Sequence, residues 1–135
     1  MTPNKVLFIV LPLLVIACPV EALTGKVVGV ADGDTITVLE GRKQHKIRLY
    51  GIDTPERHQD FGRRAKQFTS DLVFGRQVTV DTIDVDRYGR TIGMVFVGES
   101  TNVNAAIIEN GFAWVYRKYC NKQVCNEWLK LEKQA

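Results

Sequence analysis

Hydrophobic and polar residues alternate over several short stretches of the chain, which is the pattern of β-strands. "TGKVVGVADGDTITVLEG" predicts two strands, with apolar positions at Val27, Val28, Val30, Ile36 and Val38. "Asp32-Gly33-Asp34" interrupts them, and a glycine there permits a sharp turn or a bulge. "HKIRLYGI" predicts a third strand, and "RQVTVDTIDV" and "RTIGMVFVG", joined by "DRYG", predict a fourth and a fifth.

Three other stretches have helical spacing. The first helix is predicted from about Asp60 or Gly62 to Phe74, is ended by Gly75, and has a core face formed by Ala65, Phe68, Leu72 and Val73. Asn102 is suited to cap a short helix, "VNAAIIEN", which Gly111 ends. The last helix runs roughly from Lys122 to Lys133, with Val124, Trp128 and Leu131 on one side. This order of elements is consistent with a small antiparallel barrel, which closes a sheet without exposed edges.

The length of 135 residues allows one domain, and 45% hydrophobic content is ordinary for a globular protein. The N-terminal stretch is not part of that domain. Lys5 precedes the uncharged "VLFIVLPLLVIA", which is too short to span a bilayer comfortably. "Val20-Glu21-Ala22" offers small residues at the positions that a signal peptidase reads. We therefore predict a cleaved secretory signal at residues 1–22 and a domain at residues 23–135; the alternative is a buried N-terminal helix.

The same N-terminal segment has a second interpretation, because "Val15-Ile16-Ala17-Cys18" is similar to a bacterial lipobox. Cys18 would then be the lipidated first residue, and the protein would touch a membrane only through that lipid. In both cases we expect an exported protein, either periplasmic or secreted. The net charge of +3 is too small to indicate strong nucleic-acid affinity by itself.

Cys120 and Cys125 remain once the signal is removed, and an even number of cysteines in an exported chain predicts one disulfide. The alternative, a zinc site, is weaker because no histidine or further cysteine lies near this pair.

Carboxylates and arginines occur together in three motifs. "ADGDT" contains Asp32 and Asp34, and "IDTPE" contains Asp53 and Glu56. Hard cations such as Ca²⁺ prefer carboxylate and carbonyl oxygens, and a glutamate close to such a site can act as a general base. Arg48 precedes these residues, and "DRYGR" adds further arginines, whose guanidinium groups suit phosphate oxygens. Each motif alone also has a structural interpretation, as a turn, a helix start, a hairpin connection or a surface ion pair.

Taken in order, these motifs resemble those of the thermonucleases, the staphylococcal-nuclease-like enzymes. The resemblance covers D-G-D-T, R-L-x-G-I-D-T-P-E, an F-G-x-x-A helix start, D-x-Y-G-R and a late N-G-x-A, from about Thr24 to Trp128. It implies an α+β fold, a five-stranded OB-fold β-barrel with about three packed helices. It also implies a Ca²⁺-dependent phosphodiesterase that acts on DNA and RNA and yields 3′-phosphate ends.

The resemblance assigns a role to individual residues. The implied metal ligands are the carboxylates of Asp34 and Asp53 and the backbone carbonyl of Thr54. The implied catalytic residues are Glu56 as general base and the phosphate-binding Arg48 and Arg90, with Asp32 and Tyr88 in support. The implied substrate contacts are Arg87, Trp114, Tyr116 and Tyr119, although core packing is an equal alternative for Trp114. Arg57 and Arg63 match no required role and are expected to form a basic rim.

The sequence also departs from the family. The loop after Glu56 is shorter than in the best-known member, so that member's substrate contacts do not transfer to it. Relatives generally continue beyond "KLEKQA", which leaves open whether the C-terminus is truncated and the last helix weakly held. Two other functions stay open: a catalytically silent OB-fold module that binds nucleic acid or protein, and a phosphodiesterase of small substrates. We expect a monomer without an obligate protein partner.

Overall fold

The computed structural model describes Pro3, residues 9–16 and residues 22–135. In chain order its elements are β1 (Ala22–Asp32), β2 (Thr35–Glu40), β3 (Lys43–Leu49), β4 (Ile52–Asp53), α1 (Gly62–Val73), β5 (Gln77–Val85), β6 (Thr91–Val97), β7 (Thr101–Asn102), α2 (Val103–Glu109), β8 (Trp114–Val115) and α3 (Val124–Gln134). Lys5, Ala17, Cys18, Val20 and Glu21, on which the signal and lipobox predictions depend, lie outside the described residues.

Five strands close into a barrel in the order β3-β2-β1-β5-β6, with β6 returning to β3. Four of the five pairings are antiparallel, but β3 and β6 pair in parallel, with Ile47 opposite Thr91 and Arg48 opposite Ile92. The α+β fold with a five-stranded OB-fold barrel and three helices is therefore confirmed. The expectation that every pairing is antiparallel is wrong, because the order of the strands along the chain does not fix how the barrel closes.

The barrel interior is filled by the branched aliphatic side chains that the strand pattern predicts, since alternate residues of a strand point to one face. Val27, Ile36, Val38 and Ile47 are fully buried. Val28 is an exception, because it lies on the outer face of β1 and is exposed. The register of β1 against β2 shifts twice between Val27 and Asp32, so bulges bend this strand before the turn at Gly33.

The predicted third strand is wrong in its extent. "HKIRLYGI" is interrupted after Leu49, because Tyr50 donates its backbone N–H to the Gly93 carbonyl and Gly51 turns the chain at φ +72°. Ile52 and Asp53 then form the separate strand β4, which pairs with β8. This small sheet carries the segment after Arg48 across the end of the barrel and leads into the helix α1.

The three helices lie close to their predicted positions. Asn102 caps α2 with its side-chain oxygen, which accepts the backbone N–H of Ala105 at 3.1 Å. The helix α3 packs through Trp128, which is only 2% exposed and lies against the ring of Tyr50. Trp128 therefore packs the last helix against the turn after β3.

A disulfide joins Cys120, in the loop before α3, to Cys125 in the first turn of α3, with a Cα–Cα distance of 5.8 Å. The Tyr50 hydroxyl accepts the backbone N–H groups of Asn121 and Lys122 at 2.9 and 3.1 Å, which fixes the disulfide loop against the turn after β3. No helix in residues 9–16 or 22–135 has the length and apolar composition needed to span a membrane.

Candidate active site

Asp34 lies in the tight connection between β1 and β2, and the fold buries it at the end of the barrel. Asp34 is only 7% exposed. Oδ1 accepts the Thr35 hydroxyl at 2.9 Å, and Oδ2 accepts the Thr54 backbone N–H at 3.2 Å. The Gly33 carbonyl beside it accepts the Thr69 hydroxyl of α1 at 2.6 Å. The turn that carries Asp34 is thus held by Thr54, which directly follows β4, and by α1.

Asp53 shares two donors with Asp34, the Thr54 backbone N–H and the Arg48 guanidinium group. Its Oδ1 accepts the Thr54 backbone N–H at 3.1 Å and lies 3.5 Å from Arg48 Nη2, which is also 3.4 Å from Asp34 Oδ2. Burial raises the pKa of Asp53, Arg48 partly offsets this, and the neighbouring Asp34 carboxylate raises the pKa further. Two carboxylates from distant segments therefore share one arginine and one backbone N–H.

Arg48 is held rigidly by backbone as well as by the two carboxylates. Its Nη1 donates to the Leu49 carbonyl at 3.0 Å and to the Ile52 carbonyl at 2.9 Å. The register of β3 against β2 places Arg48 opposite Thr35, directly beside Asp34. The guanidinium group therefore sits between the β1–β2 turn and β4 and brings positive charge to the carboxylate pair.

The donor set at this point fits a hard cation. Asp34 and Asp53 offer anionic oxygens, and Ca²⁺ commonly takes carboxylates, backbone carbonyls and waters in a sphere of six to eight oxygens. Among the described residues no group of three or more His, Cys, Asp or Glu side chains could hold a metal ion. Any cation here would therefore need backbone or water oxygens in addition to the two carboxylates. The Thr54 hydroxyl oxygen is also buried in this region, and it has no hydrogen-bond partner among the described residues.

Glu56 lies apart from the carboxylate pair, on the exposed loop that leads to α1. Its Oε2 is 3.2 Å from His58 Nε2, and both side chains are mostly in solvent. The loop is folded back on itself, because Glu56 donates its N–H to the Gln59 side chain and accepts the Gln59 N–H. Gly62 is required at the end of this loop, since any side chain there would overlap the Glu56 carbonyl oxygen. Glu56 is thus free to reorient, with its backbone fixed.

Arg90 lies at the end of the β5–β6 turn, and Asp86 determines its position. Arg90 Nε donates to Asp86 Oδ2 at 2.7 Å, while Oδ1 accepts the backbone N–H groups of Tyr88 and Arg90 at 2.9 and 3.0 Å. The sequence motifs assign no role to Asp86. The signal was available, because an aspartate that begins a turn commonly accepts the N–H groups of the residues after it.

Tyr88, at the tip of the same turn, is exposed and lies between two arginines. The guanidinium carbons of Arg87 and Arg90 are 5.0 and 5.5 Å from its ring centroid, within the range of cation–π contacts. The parallel pairing of β3 with β6 places this turn beside the strand that carries Arg48. The turn therefore presents positive charge and an aromatic ring at the same end of the barrel.

The remaining predicted site residues lie in three places. Trp114 lies directly opposite Asp53 in the β4–β8 pair and is 41% exposed, so core packing is the wrong alternative for it. Tyr116 and Tyr119 follow β8 and pack edge to face, with their ring centroids 4.9 Å apart. Asp32 is turned toward the loop, where it accepts the Arg57 N–H at 3.3 Å, and makes no hydrogen bond with Asp34 or Asp53 among the described residues.

Comparison with known proteins indicates the family of the chain. The family model described as "Staphylococcal nuclease homologue" matches residues 46–135. A "Micrococcal nuclease" of Shigella flexneri is 42% identical over 131 residues, which cover 90% of this chain and 75% of the relative. "Protein ParB" of Escherichia coli is 45% identical over 134 residues, covering 93% and 75%. An "Uncharacterized endonuclease" of Escherichia coli O157:H7 is 44% identical over 114 residues, covering 83% and 74%.

The fold and the site together define a small OB-fold protein with paired carboxylates and arginines at one end of its barrel. Within that class, the match over residues 46–135 and the extent of the three similarities decide the family. The chain belongs to the staphylococcal-nuclease-like family.

Proposed function

We propose that the protein is an exported, Ca²⁺-dependent nuclease that hydrolyses phosphodiester bonds of DNA and RNA with little sequence specificity and leaves 3′-phosphate ends. Nuclease activity on nucleic acid is supported by the family and by relatives named as nucleases and endonucleases. The observation that carries the proposal for this chain is the convergence of Asp34 and Asp53 on Arg48 and the Thr54 N–H.

The proposed reaction adds water across the bond between phosphorus and the 5′-oxygen. Glu56 would leave His58 and accept a proton from the attacking water, while the departing 5′-oxygen gains a proton. Arg48 and Arg90 would donate hydrogen bonds to phosphate oxygens, on which negative charge grows toward the transition state. A Ca²⁺ held by Asp34, Asp53 and backbone oxygens would add positive charge at the same phosphate.

Purified protein incubated with DNA or RNA, with Ca²⁺ or with a chelator, tests this proposal. We expect cleavage of both substrates only with Ca²⁺, and we expect Asp34→Ala and Asp53→Ala to abolish it while the fold is retained. Asp71→Ala is the matched control, because Asp71 is an exposed carboxylate on α1 that bonds only Gln67 among the described residues.

A second measurement separates metal binding from catalysis. A ligand that binds only the folded state raises the melting temperature, so Ca²⁺ should stabilise the unmodified protein and the Asp71→Ala control but not the other two variants. Full activity in Asp34→Ala or Asp53→Ala would remove the proposed site. Binding of nucleic acid without any cleavage would favour a catalytically silent OB-fold module instead.

A further inference from the structure

Phe61 is an exposed aromatic residue in an unfavourable backbone conformation. It is 67% exposed and has φ +64°, and it is the one non-glycine residue in the described part of the chain with positive φ. The left-handed region disfavours a residue with a bulky side chain. Neither the proposed reaction nor the hydrophobic core uses this ring, so its position needs another explanation.

Two grooves meet at Phe61. One has a volume of about 350 Å³ and is lined by Pro55, Phe61, Arg64, Gly111, Phe112 and Trp114. The other has a volume of about 470 Å³, and its charged lining contains Arg57, Arg63 and Arg64 with a single carboxylate, Asp60. Phe61 and Arg64 line both, with the Arg64 guanidinium carbon 5.8 Å from the Phe61 ring centroid. An aromatic groove and a basic groove therefore share one wall.

One wall of the aromatic groove is formed by residues next to Asp53. Trp114 pairs with Asp53 in the small sheet, and Pro55 is the second residue after Asp53. On the far side, Phe112 stacks on Phe68 of α1 at a centroid distance of 4.9 Å, which holds it in place. A ligand in this groove would thus lie next to the segment that carries Asp53, one of the two carboxylates of the proposed site.

We propose that the groove between Phe61 and Trp114 binds one unpaired nucleobase of the substrate strand, and that Arg64 contacts the adjoining phosphate. This inference rests on the proposed function, because it takes the ligand to be nucleic acid. Exposed aromatic rings that alternate with arginines provide stacking surfaces for bases and positive charge for the backbone, without dependence on base identity. The excess of arginines in the adjoining groove favours this polyanion over an apolar peptide.

The test measures binding in the presence of a chelator, so that cleavage plays no part. The probes are a labelled single-stranded oligothymidylate and an abasic oligonucleotide of the same length, which has the same phosphates and no bases. We expect the unmodified protein to bind the oligothymidylate more tightly. Phe61→Asn should bind it about 5-fold or more weakly, because loss of one stacking ring typically has an effect of this size, while binding of the abasic probe changes little.

The variants are chosen so that unfolding cannot imitate the result. Asparagine tolerates positive φ, so Phe61→Asn should melt at the same or a higher temperature than the unmodified protein. Phe74→Ala is the matched control, because Phe74 is also exposed, at 57%, but lies at the other end of α1 and outside both grooves. It should bind both probes normally.

Tryptophan fluorescence gives an independent reading. The chain has two tryptophans, and Trp128 is buried, so quenching by the oligothymidylate should come from Trp114 and disappear in Trp114→Phe. Equal binding of both probes, normal oligothymidylate binding by Phe61→Asn, or quenching that survives in Trp114→Phe would overturn the proposal. Cleavage with Ca²⁺ is measured in a separate assay. One result can therefore contradict the nuclease function, and the other can contradict base binding in this groove.

Discussion

At the scale of single residues, Arg48 connects more of the site than any carboxylate does. It reaches the carbonyls of Leu49 and Ile52 with one nitrogen and the two aspartates with the other. This fork depends on the planar guanidinium group, which a lysine ammonium cannot reproduce. Position 48 therefore requires a guanidinium group and not only a positive charge.

Arg48→Lys and Arg90→Lys should each lower kcat by about 10²–10³-fold, because an ammonium group keeps the charge but loses the planar set of donors that positions each arginine and its contact with phosphate oxygens. Steady-state kinetics on single-stranded DNA would measure this, with melting temperatures to verify the fold. Arg42→Lys, in the exposed turn between β2 and β3, is the control. Near-normal turnover in both variants would mean that the two arginines contribute only positive charge at the edge of the site.

Glu56 presents a different case, because its carboxylate is exposed and pairs with His58. If it accepts a proton from water without touching the substrate, Glu56→Gln should lower kcat by about 10²–10⁴-fold and leave KM nearly unchanged. The same kinetic assay, run over a range of substrate concentrations, separates the two constants. An unchanged kcat would mean that another group activates the water.

At the scale of elements, the β5–β6 turn is a small hydrogen-bonded unit that aims Arg90. Burial raises the pKa of Asp86, but the hydrogen bonds from the Arg90 backbone and side chain and from the Tyr88 backbone outweigh it, so the pKa lies below the usual 3.8. A lowered pKa in the folded state means that the ionised carboxylate stabilises the fold above pH 3.8. That stabilisation is lost as the pH falls through the folded-state value.

Asp86→Asn should therefore be less stable than the unmodified protein at neutral pH, by about 1 kcal/mol for the weakened hydrogen bonds. The difference should shrink as the pH falls from 3.8 through the lower folded-state pKa of Asp86, because the carboxyl is then protonated and both side chains are uncharged. Urea unfolding at a series of pH values measures this. A difference that stays constant across the series would show that the ionised carboxylate is not its source.

The elements that the sequence predicts well are those with local signals. The helix α2 has an asparagine cap and a terminal glycine, and α1 has four apolar residues on one face. The strands β4 and β8 have two residues each, which is too short for any periodicity, so their pairing could not be predicted. The position of Trp114 beside Asp53 depends on this pairing, so it could not be predicted either.

At the scale of the whole molecule, the site depends on how distant segments meet at one end of the barrel. The motif order predicts that Asp34, Arg48 and Asp53 belong together, and the structure brings them within hydrogen-bond or ion-pair distance. Sequence could not show that Arg48 is also tied to backbone carbonyls, or that Glu56 lies out on the loop with His58. Those features depend on tertiary packing and on side-chain conformation, which no motif encodes.

The boundary of the barrel also bears on the predicted cleavage after Ala22. Ala22 is the first residue of β1 and pairs with Asp81, and Leu23 is the first buried core residue in the described part of the chain. A chain that starts at Leu23 therefore keeps the buried barrel residues. Removing residues 1–22 should leave the melting temperature nearly unchanged.

We expect the intact mass of protein purified after export to correspond to a chain that begins at Leu23. The lipobox alternative gives a chain that begins at Cys18 and carries the added mass of a lipid, with residues 18–22 left between the lipid and the barrel. The two products differ by five residues as well as by the lipid, so one mass measurement distinguishes them. A mass that retains residues 1–22 would contradict both routes, and the hydrophobic N-terminal stretch would then need a role in the mature protein.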